Sequence, residues 1–154
     1  DWENQHDPEY RAAALRIVAG ETDLVRRARL LQEWLHGSFT YELVGFSTMN
    51  EHFARQIGEC GTWSNLAVSL FRTLGIPSRW LAMHVPRADR APRLFTHISS
   101  EYYHPRYGWV PVDHTENRYG YISHRILFWR SIPRAADMPR YHPRWMPNFF
   151  RWLS

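Results

Sequence analysis

Cys60 is the only cysteine among 154 residues, and it sits in Gly58-Glu59-Cys60-Gly61-Thr62-Trp63-Ser64-Asn65, where a loop gives way to helical spacing. Downstream come His97, in the strand-like run Thr96-His97-Ile98, and Asp113, which closes Gly108-Trp109-Val110-Pro111-Val112-Asp113. A thiol at a helix start, followed by an imidazole and then a carboxylate, supplies a nucleophile, a base and an orienting group for acyl transfer. Taken singly, each has a plainer reading: a buried inert thiol, a structural histidine, a turn cap. Their order, and the elements that carry them, are what join them. The nine histidines show no HExxH or similar ligand spacing. A Cys60/His97/His104 metal site is formally possible and is the weaker reading; no metal or cofactor is expected.

The elements that must position these groups are legible from local signals. Asp7-Pro8 reads as a helix cap and first position, with the helix running to Ala19 and stopped by Gly20. A second helix is predicted over Thr22 to His36, where Leu24, Ala28, Leu31 and Leu35 form one apolar stripe. Ser38 to Val44 reads as extended, and Asn50 is expected to cap a short helix to Ile57. The next helix starts at Cys60 and ends near Leu74, with Gly75 as its stop and Trp63, Leu66, Ala67, Leu70, Phe71 and Leu74 on its buried side. Strands are predicted over Arg79 to Val85, Leu94 to Tyr103, Tyr107 to Val112 and Ile122 to Phe128, and Pro133 to Ser154 is expected to wrap the surface. Helices first and an antiparallel sheet afterwards indicate an α+β fold in a single domain spanning residues 1–154.

A turn centred on Pro105 would set His97 directly opposite Asp113, on one face of a hairpin with Cβ atoms about 5 Å apart. The thiol needs activation, since a free cysteine titrates near about 8.5. A helix N-terminus and a neighbouring imidazolium are expected to lower that value. Gly58 and Gly61 leave room for a substrate carbonyl. The backbone N–H of Cys60 is one oxyanion donor on this reading, and the hydroxyl of Tyr41 is the candidate for the second.

Composition narrows the classes. Apolar residues make up 44% and aromatics 16% of the chain, enough for a packed core, and no apolar run is long enough to span a membrane. The net charge of +4 comes from nineteen basic residues, all arginine. The plain reading is codon usage; the functional one is an enzyme with no lysine amines to acylate on itself. The arginines are scattered rather than gathered in a stripe, which argues against nucleic-acid binding. A lone cysteine forms no internal disulfide and leaves the redox compartment open. The chain opens on Asp1-Trp2-Glu3 without a signal-peptide pattern, which reads as a trimmed, soluble protein, bacterial cytoplasmic or exported with its signal removed.

Gly58-Glu59-Cys60, continuing through Leu70-Phe71-Arg72-Thr73-Leu74-Gly75-Ile76-Pro77-Ser78-Arg79, resembles the first block of the transglutaminase-like superfamily. Thr96-His97-Ile98-Ser99-Ser100-Glu101-Tyr102-Tyr103 is similar to its histidine strand, and Gly108 to Asp113 to its Gly-Trp-x-Pro-x-Asp block, with a weaker match at Arg118-Tyr119-Gly120. The resemblance implies a papain-like, transglutaminase-core fold with N-terminal helices on an antiparallel sheet. It also implies a Cys60–His97–Asp113 triad acting on amide carbonyls of a peptide or protein through a thioester. His114 stands where the family often has proline, and Ile98-Ser99 where Ala-Trp is frequent. Water as acceptor gives a cysteine peptidase or amidase, the favoured reading; a primary amine gives a cross-linking transamidase. A non-catalytic binding module is the third class, although all three residues are intact. Trp63, Arg93 and Trp109 are the candidate substrate contacts.

Overall fold

The computed structural model describes residues 7–44, 48–85, 95–120 and 126–130. Four helices precede most of the sheet: α1 (Pro8–Val18), α2 (Leu24–Ser38), α3 (Met49–Arg55) and α4 (Cys60–Thr73). Two short strands, β1 (Thr40–Tyr41) and β2 (Ile57–Gly58), pair in parallel, with Tyr41 opposite Gly58. The main sheet comprises β3 (Ser78–Val85), β4 (Phe95–His104), β5 (Gly108–Asp113), β6 (Arg118–Tyr119) and β7 (Ile126–Arg130), in the order β6-β5-β4-β3-β7. Every described pairing in it is antiparallel.

Local chemistry explains the helix ends. Asp7 and Asp23 accept the N–H groups of Glu9 and Arg26, and Thr48 with Glu51 forms a reciprocal capping box that starts α3 one residue before Asn50. Helix α4 ends where Gly75 turns to φ +74° and the N–H of Ile76 reaches back to the carbonyl of Phe71. Between its ends α4 is almost wholly buried. Trp63, Leu66, Ala67, Leu70 and Phe71 meet Tyr10, Ala14 and Val18 of α1, Ala28, Leu31 and Leu35 of α2, and Tyr102 and Val112 of the sheet in one core. The α2 stripe is as predicted; Leu24, at its outer end, is only partly buried.

The α+β class and the order of elements match the sequence expectation, but the hairpin register does not. His104 pairs with Gly108 and Ser100 with Val112, so the turn is centred on Arg106 rather than Pro105. A slip of two residues moves partners along the strand without changing their face, because side chains alternate with period two. Strand β7 begins at Ile126; the earlier part of the Ile122–Phe128 expectation, from 122 to 125, and the Pro133–Ser154 wrap lie outside the described residues.

Candidate active site

Asp113 is where β5 ends and a tight turn begins. Its Oδ1 accepts the hydroxyl of Thr115 at 3.0 Å and the N–H of Glu116 at 3.1 Å, while Oδ2 lies 2.8 Å from His97 Nε2. The carboxylate is 1% exposed and the histidine 5% exposed, so their bond is shielded from water. The two-residue slip makes this a diagonal contact rather than a direct opposition. Helix α2 fastens the same turn from 81 residues away: Gln32 Nε2 donates to the Asp113 carbonyl and to Asn117 Oδ1, both at 3.1 Å. One helical turn on, His36 Nδ1 is 3.2 Å from the His114 carbonyl. Sequence spacing carries no signal for this clamp, although Gln32 and His36 stand four apart on one helix face.

His114, the residue in place of the family's proline, is fully buried against Phe71, with Nε2 2.7 Å from Ser100 Oγ. Burial pushes its pKa down to about 4, so the ring is neutral at physiological pH. It is a structural histidine on the side of the sheet that carries Tyr102 and Val112.

Cys60 is the first residue of α4 and is 6% exposed. The β4–β5 ladder stops at Ser100, and beyond it α4 meets the backbone of β4 at Ile98. Ser64 Oγ donates to the Ile98 carbonyl at 3.2 Å, and the Ile98 N–H lies close enough to the Cys60 sulfur to favour a thiolate. Residues 60 and 64, one turn apart, thus anchor the sulfur beside the peptide that follows His97. The Tyr41 hydroxyl, carried by β1, also lies next to the sulfur. Desolvation, then the nearby Cys60 and Glu59, raise the phenol's pKa.

The activation expected from the helix N-terminus is outweighed, although the Gly61 N–H still favours a thiolate. Glu59, the helix cap, folds its carboxylate over the first turn. It accepts the N–H groups of Gly61 at 2.7 Å and Thr62 at 3.0 Å, the Thr62 hydroxyl at 3.2 Å, and the Cys60 thiol at 3.2 Å. Burial works to raise the carboxyl's own pKa, but these donors outweigh it and hold it below the ordinary range. For the thiol, burial and this anion together push the pKa up to about 11. The room expected at the two glycines is also taken. A Cβ on Gly58 would fall 2.5 Å from Thr62 Cγ2, and one on Gly61 would fall 2.9 Å from Glu59 Oε1.

The substrate-contact candidates are dispersed. Trp63 is 3% exposed in the core and makes edge-to-face contacts with His36, Phe39 and Tyr41. Trp109 lies under the guanidinium of Arg79, 4.0 Å from its centre, and against Tyr103. Arg93 lies outside the described residues. Among the described residues His97, Asp113 and Glu116 offer three ligand atoms within 4.8 Å, but the first two are already bonded to each other and Glu116 pairs with Arg118. No helix among the described residues is long and apolar enough to cross a membrane.

The family model of the transglutaminase-like superfamily matches residues 11–114. No curated protein matches the chain. Among solved structures, a Cytophaga hutchinsonii protein put forward as a cysteine protease superimposes with a TM-score of 0.67 at 17% identity, over 84% of this chain and 43% of its own. The periplasmic domain of TgpA from Pseudomonas aeruginosa, bound to ethylmercury, gives 0.58 at 25% identity, over 71% and 44%. Red sea bream transglutaminase gives 0.51 at 13% identity, over 79% and 28%. The chain thus spans less than half the length of each of these three proteins.

Proposed function

The chain belongs to the transglutaminase-like superfamily, with its papain-like fold, and on that footing we propose that it cleaves amide bonds of a peptide or protein through a Cys60–His97–Asp113 triad. The observation that carries this reading is the buried His97 Nε2–Asp113 Oδ2 bond, formed one residue from the backbone that meets Cys60. With Nε2 engaged, Nδ1 is the nitrogen left for the thiol proton. Cys60 Sγ attacks the carbonyl carbon and His97 Nδ1 takes the proton. The oxyanion is met by the Cys60 N–H and the Tyr41 hydroxyl, and the leaving amine recovers the proton from His97 as the C–N bond breaks. Water, deprotonated by the same nitrogen, then releases the acid and restores the thiol.

Hydrolysis is favoured over transamidation by the surroundings of the sulfur. Tyr41, whose hydroxyl lies beside the sulfur, is 49% exposed as a residue and so forms no closed apolar wall there. Trp63 is packed into the core, and Trp109 is stacked under Arg79, so neither builds a dry amine tunnel. The test is mass spectrometry of a peptide pool incubated with and without a primary amine, using Cys60→Ala as control. Cleavage by water in both samples, absent in the variant, is the expected result. Amine-tagged products would move the reading to transamidation, and turnover surviving in Cys60→Ala would overturn the mechanism.

A further inference from the structure

The nucleophile proposed above is hydrogen-bonded not to a base but to its own helix cap. We propose that Glu59 is a positioning residue that holds the proton of the Cys60 thiol, so that the nucleophile rests neutral and becomes a thiolate only once this hydrogen bond is released. The inference rests on the triad reading for its consequence, but its geometry stands independently. One carboxylate oxygen, Oε2, binds both the Gly61 N–H and the thiol; the other, Oε1, binds the N–H and hydroxyl of Thr62. Three donors besides the thiol fix the anion against the sulfur, and the missing side chain of Gly61 is what lets it lie there.

A cap is ordinarily neutral or anionic with equal ease, because Ser, Thr, Asn and Asp all accept the N–H of the first turn. Glu59 does the capping and also sets a full negative charge 3.2 Å from the sulfur, which opposes a second negative charge there. The other groups facing the sulfur are the Tyr41 hydroxyl from β1, the Ile98 N–H beside His97 from β4, and the Gly61 N–H of α4 itself. His52 of α3 is turned to the Ile57 carbonyl instead. In the resting enzyme, therefore, the thiol proton stays on the Glu59 side. During attack it passes from Sγ to His97 Nδ1 while the carboxylate keeps its three remaining donors. A substrate carbonyl that draws the sulfur toward itself breaks one weak S–H···O bond and leaves the cap intact.

The test is the pH profile of iodoacetamide alkylation, which reads the thiol whether or not turnover occurs. Glu59→Gln keeps a capping carbonyl oxygen and removes the charge. Its inflection is expected at least about one pH unit below that of the unaltered protein, with alkylation at pH 7 about tenfold faster. An unchanged inflection overturns the proposal. Should Glu59→Gln fail to fold, Gly61→Ala decides in the same way, since its Cβ displaces the carboxylate at 2.9 Å while keeping the charge on the chain. Failure of the triad reading shows separately, as turnover in Cys60→Ala, and leaves this titration standing.

Discussion

Strand β4 carries two buried acid–base pairs on one face, four residues apart, and they are built for different ends. Glu101 sits directly opposite Arg79 in the β3–β4 register, and the guanidinium bonds its Oε1 through both Nε and Nη2 while stacking on Trp109. His97 reaches Asp113 diagonally, past the end of the β4–β5 ladder, where α4 brings in the thiol. The arginine never releases its proton in water, so the first pair is a permanent brace. The second contains an imidazole, the side chain whose ordinary pKa lies nearest neutrality, where β4 is still paired with β3 but has lost its β5 neighbour. The lesson is that burial and opposite charge do not define the chemistry. A titratable partner on the strand edge that β5 leaves open does.

That contrast breaks if both pairs respond alike to mutation. The largest effect is expected at the histidine pair. Asp113→Asn keeps the turn and leaves the imidazole wrongly held, with peptide turnover falling on the order of 10⁴-fold and thermal unfolding little changed. A loss below about tenfold would show that the carboxylate merely caps its turn. The brace should behave in the opposite way. Arg79→Ala strands the Glu101 carboxylate in a buried site and is expected to cost about 3–5 kcal/mol in denaturant unfolding, while the folded fraction keeps its turnover.

Acid should separate stability from activity by a third route. His114 has a pKa of about 4 when folded against 6.5 for a free ring. Its contribution is present in full above 6.5 and is lost as the pH falls toward about 4, since the unfolded chain binds the proton first. The loss reaches about 3 kcal/mol. Denaturant melts from pH 7 to 4, with His114→Asn as the flat control, check it. Tyr41→Phe should slow acylation roughly 10- to 1000-fold if the hydroxyl serves the oxyanion. Single-turnover rates read this, and an unchanged rate removes Tyr41 from the site.

Much of this arrangement was readable from the chain. Asp7 and Gly75 mark helix ends because caps act within a turn, and the α2 and α4 stripes follow from period alone, although α2 runs from Leu24 to Ser38 rather than from Thr22 to His36. The resemblance carried by the blocks around Cys60, His97 and Asp113 agrees with the family match over residues 11–114. The observed pairing lies two residues from the Pro105-centred register because His104-Pro105-Arg106 does not by itself select a turn. The error was harmless to the site only because it was even. Helical period alone puts Trp63 on the buried side of α4, and the structure keeps it there, in the core rather than in contact with a substrate.

The linear order of thiol, imidazole and acid, their carriage on a helix start and two strands, and the α+β class are properties of the sequence itself. They depend on neighbours a few residues away. The protonation of the sulfur, the clamp from Gln32 and the meeting of Cys60 and Ser64 with Ile98 were decided only by the folded chain. These depend on burial and on contacts spanning 34 to 81 residues. No local propensity reaches that far, and a charge such as that of Glu59 acts differently once folding has removed the water around it.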